Sequence, residues 1–231
     1  MLLWFVAIAG AYLLGAVPFG VLIARSRGVD IRAHGSGNTG ATNVGRVLGR
    51  PWGLLCFALD VLKGAVPVLG AGLAAGLVTT PLPDIPAADA WFWFGTAVAA
   101  VLGHMFSIFL RGGGGKGVAT SFGALLAMWP LTTIPALAAF AAWAVVVRTS
   151  RYMSLGSMSG AVALPLAVAI LGLIAGDEQT VFPPASRPAL IVTTALAVLV
   201  IARHRDNIRR LLQGTESRMG ASRATEPDRS A

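Results

Sequence analysis

The stretch GVATSFGALLAMWPLTTIPALAAFAAWAVVV, residues 117–147, decides how the chain is threaded. It runs for 31 residues without a charge. A helix needs about 20 apolar residues to cross a bilayer core of about 30 Å, so the run is long for one crossing and short for two. Pro130 and Pro135 fall near its middle, where proline removes a helical hydrogen bond and clashes with the preceding turn. The stretch therefore reads as two short helices turning near Pro130.

Five further apolar segments lie outward from it: Leu2–Ile23, about Trp52–Val78, Ala90–Leu110, about Ser157–Gly176 and about Thr180–Ala202. No basic residue precedes Leu2–Ile23, and Arg25 and Arg27 follow it. That is the reverse of a secretory signal, so the segment reads as a retained first helix. Seven crossings then sort the charges. Residues 24–50 carry five Arg, 111–116 an Arg and a Lys, 148–151 two Arg and 203–231 seven Arg, which puts 16 of the 18 basic residues on one side. Lys63 falls within a span, and Arg187 falls outside with Asp84, Asp89, Asp177 and Glu178. Six crossings would put the seven C-terminal Arg outside, against the positive-inside tendency.

The expectation is an all-α polytopic membrane protein of about seven transmembrane helices, N-terminus outside and C-terminus cytoplasmic. Residues 1–213 form one membrane domain; residues 214–231 read as a polar cytoplasmic tail with nothing to bury, expected to be disordered. Helices near 15 residues reach only about 22 Å, so the loop at 111–116 is expected below headgroup level or under a thinned bilayer.

Composition agrees. Apolar residues make up 55% and charged residues 12%, with a mean hydropathy of +0.73, which excludes a soluble globule and a disordered chain. One cysteine, Cys56, and three His leave no disulfide framework and no zinc cluster at ligand spacing. No metal or cofactor is called for. The net charge of +8 raises nucleic acid as a partner, but Arg-rich cytoplasmic loops account for it, so no nucleic acid is expected.

Four inner segments carry the chemistry. In the first, Gly35-Ser36-Gly37-Asn38-Thr39-Gly40-Ala41-Thr42-Asn43 ends near Arg46. Its G-x-G-x-x-G spelling matches a dinucleotide fingerprint, but no strand precedes it and no βαβ unit surrounds it. Glycines still let backbone N–H groups approach an anion, and Ser36, Asn38, Thr42, Asn43 and Arg46 add donors. A tight polar turn is the bland reading, and a turn does not need so many donors beside an Arg. The second segment, Gly103-His104 through Arg111, Gly112–Gly115, Lys116 and Gly117, fails the Walker pattern, since Gly117 replaces its Ser or Thr. Its glycines between Arg and Lys read as an anion nest, with a flexible hinge as the alternative. His104 alone reads as a packing histidine.

The third segment, residues 148–157, sets Ser154 and Ser157 beside Arg; the fourth runs from Arg203-His204 through Asn207 to Gly214-Thr215-Glu216. If helical, His204 and Asn207 share a face at i,i+3, as do Asp60 and Lys63 in the second span. Two anion loops and two polar segments on one membrane face suit a reaction between two phosphate-bearing molecules, one with a lipid tail.

At these segments the sequence resembles the bacterial acyl-phosphate:glycerol-3-phosphate acyltransferases, the PlsY family. The carriers are Gly35–Asn43, Asp60-Val61-Leu62-Lys63-Gly64, Gly103-His104 with Gly114-Gly115-Lys116-Gly117-Val118-Ala119-Thr120, Ser154–Ser157, and His204-Arg205-Asp206-Asn207 through Gly214-Thr215-Glu216, in the family's order. The resemblance implies transfer of a fatty acyl group from acyl phosphate to the 1-hydroxyl of glycerol 3-phosphate, giving lysophosphatidic acid and inorganic phosphate, the first acylation in phospholipid synthesis.

By the same resemblance Ser36 and Arg46 hold phosphate, with Gly35, Gly37, Asn38, Gly40, Thr42 and Asn43 shaping that loop. Lys116 holds the second phosphate beside Gly114, Gly115 and Gly117, while His204 and Asn207 act at the reaction centre. Ser154, Ser157, Glu216, His104 and Lys63 are further binding candidates. The resemblance also implies a bacterial inner-membrane monomer among membrane lipids, supplied by an enzyme that makes acyl phosphate.

Two departures stand out: Gly113 occupies a position where the family often has lysine, with Arg111 a possible substitute charge, and Ser107 stands where proline is common. A small-anion transporter is the rival reading, since Gly-rich helix ends also bind anions in transporters and a buried Asp60–Lys63 pair suits a transport path. The one-sided clustering of donors counts against it. A membrane scaffold is a third reading, in which the inner-loop polar residues would be replaceable.

Overall fold

The computed structural model describes residues 1–175 and 185–220. Among them the ordered elements are helical, and the protein is an all-α polytopic membrane protein. Pro18 divides the first apolar run into α1 (Leu2–Ala16) and α2 (Phe19–Ser26), because its ring excludes a continuous helix. Then come α3 (Ala41–Leu48), α4 (Arg50–Ala74), α5 (Ala87–Met105), α6 (Val118–Leu126), α7 (Thr133–Ser150), α8 (Met153–Ala175), α9 (Ser186–Arg203) and α10 (Arg205–Leu212). Six segments are long and apolar enough to cross a membrane: Leu2–Ser26, Arg50–Ala74, Ala87–Leu110, Thr133–Ser150, Met153–Ile174 and Ser186–Arg203. The expected start of the last span at Thr180, and Asp177 and Glu178, lie outside the described residues.

Residues 117–147 do turn near Pro130, but into unequal halves. The 18 residues of α7 can cross alone, while α6 has nine, about 13 Å at 1.5 Å per residue. The half-helix is tolerated because it lies inside the bundle: Thr120, Leu125 and Met128 are buried. Its last carbonyls are satisfied by hydroxyls, Thr132 Oγ1 donating to Leu125 O (2.7 Å) and Thr133 Oγ1 to Leu126 O (2.8 Å).

Small residues let the helices meet closely, as membrane packing requires. Gly15 and Gly103 lie on the backbones of α5 and α1, and Gly64 and Gly123 on those of α6 and α4; a Cβ at any of the four would overlap main-chain atoms. α1 and α5 run parallel, with Trp4 stacked on Phe92 at 6.0 Å near one end and Ser107 donating to Ala16 O near the other. A core of Trp93, Phe94, Val68, Met105 and Leu125 fills the centre, and Trp93 Nε1 donates to Val68 O (2.8 Å). Phe5, Leu62, Ile170 and Val198 face outward, where lipid covers them.

The ends of α5, α7 and α9 and the starts of α6, α8 and α10 gather at one face. Residues 214–220, assigned above to a free tail, lie against that face. Met219 N donates to Arg151 O (2.7 Å) and Arg218 Nε to Tyr152 Oη (3.1 Å). Residues 221–231 lie outside the described residues.

Candidate active site

The first loop is built around one buried side chain. Asn43, near the start of α3, donates through Nδ2 to the carbonyls of His34 (3.0 Å), Asn38 (2.9 Å) and Ile31 (3.3 Å). Its Oδ1 accepts from the Ser36 amide (2.9 Å) and from Arg46 (3.5 Å). Asn38 Oδ1 accepts from the Gly40 amide (2.9 Å), closing a side-chain turn. Gly35 has φ +62°, and a Cβ there would run into Asn43; only glycine lets the chain wrap this hub. Ser36 and Asn38 are thereby held toward the cavity described below, whereas Thr42 is exposed and does not line it.

The second loop is organised differently. The amides of Gly112, Gly113 and Gly115 donate to the carbonyls of Ser107 (2.9 Å), Leu110 (3.0 Å) and His104 (3.2 Å). They are occupied within the loop, so no anion nest forms from them. A Cβ at Gly114, Gly115 or Gly117 would overlap His104 or Met105, so these glycines serve close packing under the end of α5. The carbonyls of Met105, Gly114 and Gly115 accept from Arg203 at 3.3, 3.2 and 3.0 Å, which clamps the loop to α9. Arg111 sits exposed at the loop tip with φ +53° and does not take the place of the missing lysine.

Lys116 leaves this loop and donates to Asn207 Oδ1. Asn207 Nδ2 donates to Glu216 Oε1 (2.6 Å), which also accepts from Ser154 Oγ (2.7 Å); Arg210 Nε donates to Glu216 Oε2 (2.7 Å). The third and fourth segments are thus tied by one carboxylate. Ser157 is apart, bonded to its own helix at Met153 O (2.9 Å). A polar cavity of about 210 Å³ opens over these groups, lined by Ser36, Asn38, Lys116, Asn207, Arg205 and Arg210 together with Ala202, Arg203 and Asp206. Arg203, Arg205 and Arg210 escaped the sequence reading as site residues. The spacing of Arg203 and Arg210 from Asn207, four before and three after, was the available signal.

Electrostatics follow from partial burial. Burial lowers the Lys116 ammonium to about 8, with Glu216 opposing and Arg210 adding to the fall. Burial, then Lys116, lowers His204 to about 4. Its Nδ1–H donates to Val200 O (2.8 Å), leaving the lone pair on Nε2. Burial raises Glu216, but the hydrogen bonds from Ser154, Asn207 and Arg210 outweigh it and hold the carboxyl below its ordinary value.

Lys63 and His104 do not reach this cavity. They form a separate buried cluster with Asp60, in which Lys63 Nζ lies 2.8 Å and His104 Nδ1 3.6 Å from Asp60 Oδ1. Among the described residues no group of three acidic, His or Cys side chains is arranged to hold a metal.

A family model described as "Glycerol-3-phosphate acyltransferase" matches residues 5–214. A protein of that name from Geobacter sulfurreducens is 46% identical over 92% of this chain and 96% of its own length. Another from Thermus thermophilus is 45% identical over 91% and 92%. Crystal structures of PlsY (YgiH), an integral membrane glycerol 3-phosphate acyltransferase, superpose with TM-scores of 0.79 for the glycerol 3-phosphate form and 0.76 for the lysophosphatidic acid form. Both are 38% identical and covered over 94% of this chain, and the matches take in 96% and 95% of those chains. With the family model spanning residues 5–214 and relatives of up to 46% identity matched over nine-tenths of its length, this chain belongs to the glycerol-3-phosphate acyltransferase family.

Proposed function

We propose that this protein moves a fatty acyl group from acyl phosphate to the 1-hydroxyl of glycerol 3-phosphate, releasing lysophosphatidic acid and inorganic phosphate. The observation that carries the reading is the cavity itself, where Ser36, Asn38, Lys116, Asn207 and Arg210 meet from segments distant in sequence. Hydrogen-bond donors and cations of this kind hold phosphate oxygens. Family membership and the forms in which PlsY has been crystallised support the acceptor and the product.

The chemistry suits a site rich in cations and poor in strong bases. Acyl phosphate is a mixed anhydride with a good leaving group. The protein's task is to bring two anions together and align the hydroxyl with the carbonyl carbon. Lys116, Arg210 and the donors of the first loop neutralise the phosphates. The hydroxyl oxygen forms the new C–O bond, the bond from carbonyl carbon to the bridging phosphate oxygen breaks, and phosphate leaves. With a pKa of about 4, His204 is a weak base and serves better by accepting a hydrogen bond at Nε2. The proton then leaves on a phosphate oxygen. Asn207 and Lys116 face the developing oxyanion.

The charge count supports a cytoplasmic site with the N-terminus outside, and family membership supports a bacterial inner membrane. A monomer, supplied by a separate enzyme that makes acyl phosphate, completes the proposal. The test uses purified protein with palmitoyl phosphate and glycerol 3-phosphate, followed by lysophosphatidic acid formation, beside a reaction with palmitoyl-CoA. Product from acyl phosphate alone is expected. Product from the thioester alone would move the donor assignment, and no product from folded protein would overturn the reading.

A further inference from the structure

The buried cluster of Asp60, Lys63 and His104 lies outside the substrate cavity, yet it packs on the second loop and is linked to the first through the joint between α1 and α2. Asp60 and Lys63 are 2% and 4% exposed on α4, a costly placement for charges in a membrane helix. Their bonds explain what they hold. Lys63 Nζ donates to Val17 O (2.9 Å), a carbonyl at the Pro18 break that also accepts from the Phe19 amide (3.1 Å), and lies 5.6 Å from the Phe19 ring centre. Ser107 Oγ takes the neighbouring freed carbonyl, Ala16 O, at 2.5 Å. The joint between α1 and α2 is therefore pinned to α4 and α5.

From that joint, α2 runs directly beneath the first loop, where Gly20 lies so close to Thr39 O that a Cβ would overlap it. On the other side, the His104 carbonyl accepts from the Gly115 amide (3.2 Å), one residue before Lys116, and its ring packs on Gly115. A void of about 10 Å³ touches Thr39, Asp60, Lys63, His104 and Gly114 together, so first loop, ion pair and second loop meet at one point.

We propose that Asp60, Lys63 and His104 are positioning residues that set the separation of the two loops, and through it the distance between Ser36 and Lys116 across the cavity. They act through Val17, Gly20 and Thr39 on one side and Gly115 on the other, and they touch no substrate. The inference rests on the acyltransferase reading for its kinetic consequence only. Ser107 belongs to the same device through its hydroxyl's bond to Ala16 O.

The test combines hydrogen exchange with kinetics on the full chain. In Asp60→Leu/Lys63→Met, which removes both charges together, amides of residues 31–40 and 112–117 are expected to exchange at least tenfold faster, with residues 133–150 unchanged. His104→Leu is expected to loosen residues 112–117 and lower kcat about tenfold, and His104→Asn, which keeps a polar group near the Nδ1 position, to recover most of it. A purely structural role would raise exchange everywhere and leave kcat and KM per folded molecule unaltered; that result would overturn the proposal, as would wild-type exchange in both loops. Because exchange needs no turnover, an inactive wild type would count against the acyltransferase reading while the positioning role was still measured.

Discussion

The two glycine-rich loops look alike as spelling and differ as objects. Residues 35–40 are held by a side chain, with Asn43 bonding three carbonyls and the Ser36 amide from the inside. That leaves Ser36 and Asn38 directed at the cavity. Residues 112–117 are held by their own backbone and by Arg203, and contribute to the cavity through Lys116. Glycine reports close approach; the approaching partner is a buried amide in one loop and a helix end in the other.

Removing the hub is expected to have the largest effect. Asn43→Ala deletes five hydrogen bonds, three at 3.0 Å or shorter and two weaker, together worth about 4 kcal/mol, so kcat/KM is expected to fall about a thousandfold. Steady-state kinetics on monodisperse protein checks this, and a loss below tenfold would mean the first loop is ordered without its hub. In the second loop the contrast lies between neighbours. Gly115→Ala forces a methyl into the His104 ring and is expected to cost about a hundredfold in activity with a lower Tm. Gly112→Ala meets open space and pays only for its positive φ, about 1 kcal/mol. Equal damage at both positions would restore the anion-nest reading.

Dependence on pH tests what the second loop delivers. The Lys116 ammonium, lowered to about 8, is lost as pH rises through that value, so kcat/KM is expected to fall about tenfold per unit above it. His204, already neutral well above about 4, contributes no acid limb near the ordinary histidine value of about 6.5. An acid limb there would return His204 to the role of base.

The smallest effects separate two exposed arginines. Arg46→Ala is expected to raise KM for glycerol 3-phosphate about tenfold with kcat little changed, the loss of one charge-assisted contact. Arg111→Ala, at the loop tip and away from the cavity, is expected to stay within about twofold of wild type. An Arg111 effect as large as that of Arg46 would show the second loop bending inward when substrate is bound.

Much of this was legible in the residues. Long uncharged runs with Arg-rich connections specify membrane helices whatever their neighbours, because the bilayer imposes length and apolarity on each segment separately. The turn near Pro130 is equally local, since proline acts on its own helix; Pro18 carries the same signal, although the sequence reading takes Leu2–Ile23 as one unbroken helix. Ser36, Lys116, Asn207 and Glu216 stood out within the polar inner segments, where a tight turn or a run of topogenic Arg has no need of them.

Tertiary structure alone decided the rest. The nine residues of α6 are too few to cross alone and are tolerated because α4, α5 and α7 pack around them, which no periodicity records. Glu216 is drawn out of an otherwise polar tail by Ser154, Asn207 and Arg210, partners up to 62 residues away. Lys63 and His104 went to a buried node rather than the cavity because the Asp60 carboxylate lies there, with Val17 O beside it as a second acceptor for Lys63. Sequence determines which groups require satisfaction; in a bilayer core without water, only the packed fold determines who satisfies them.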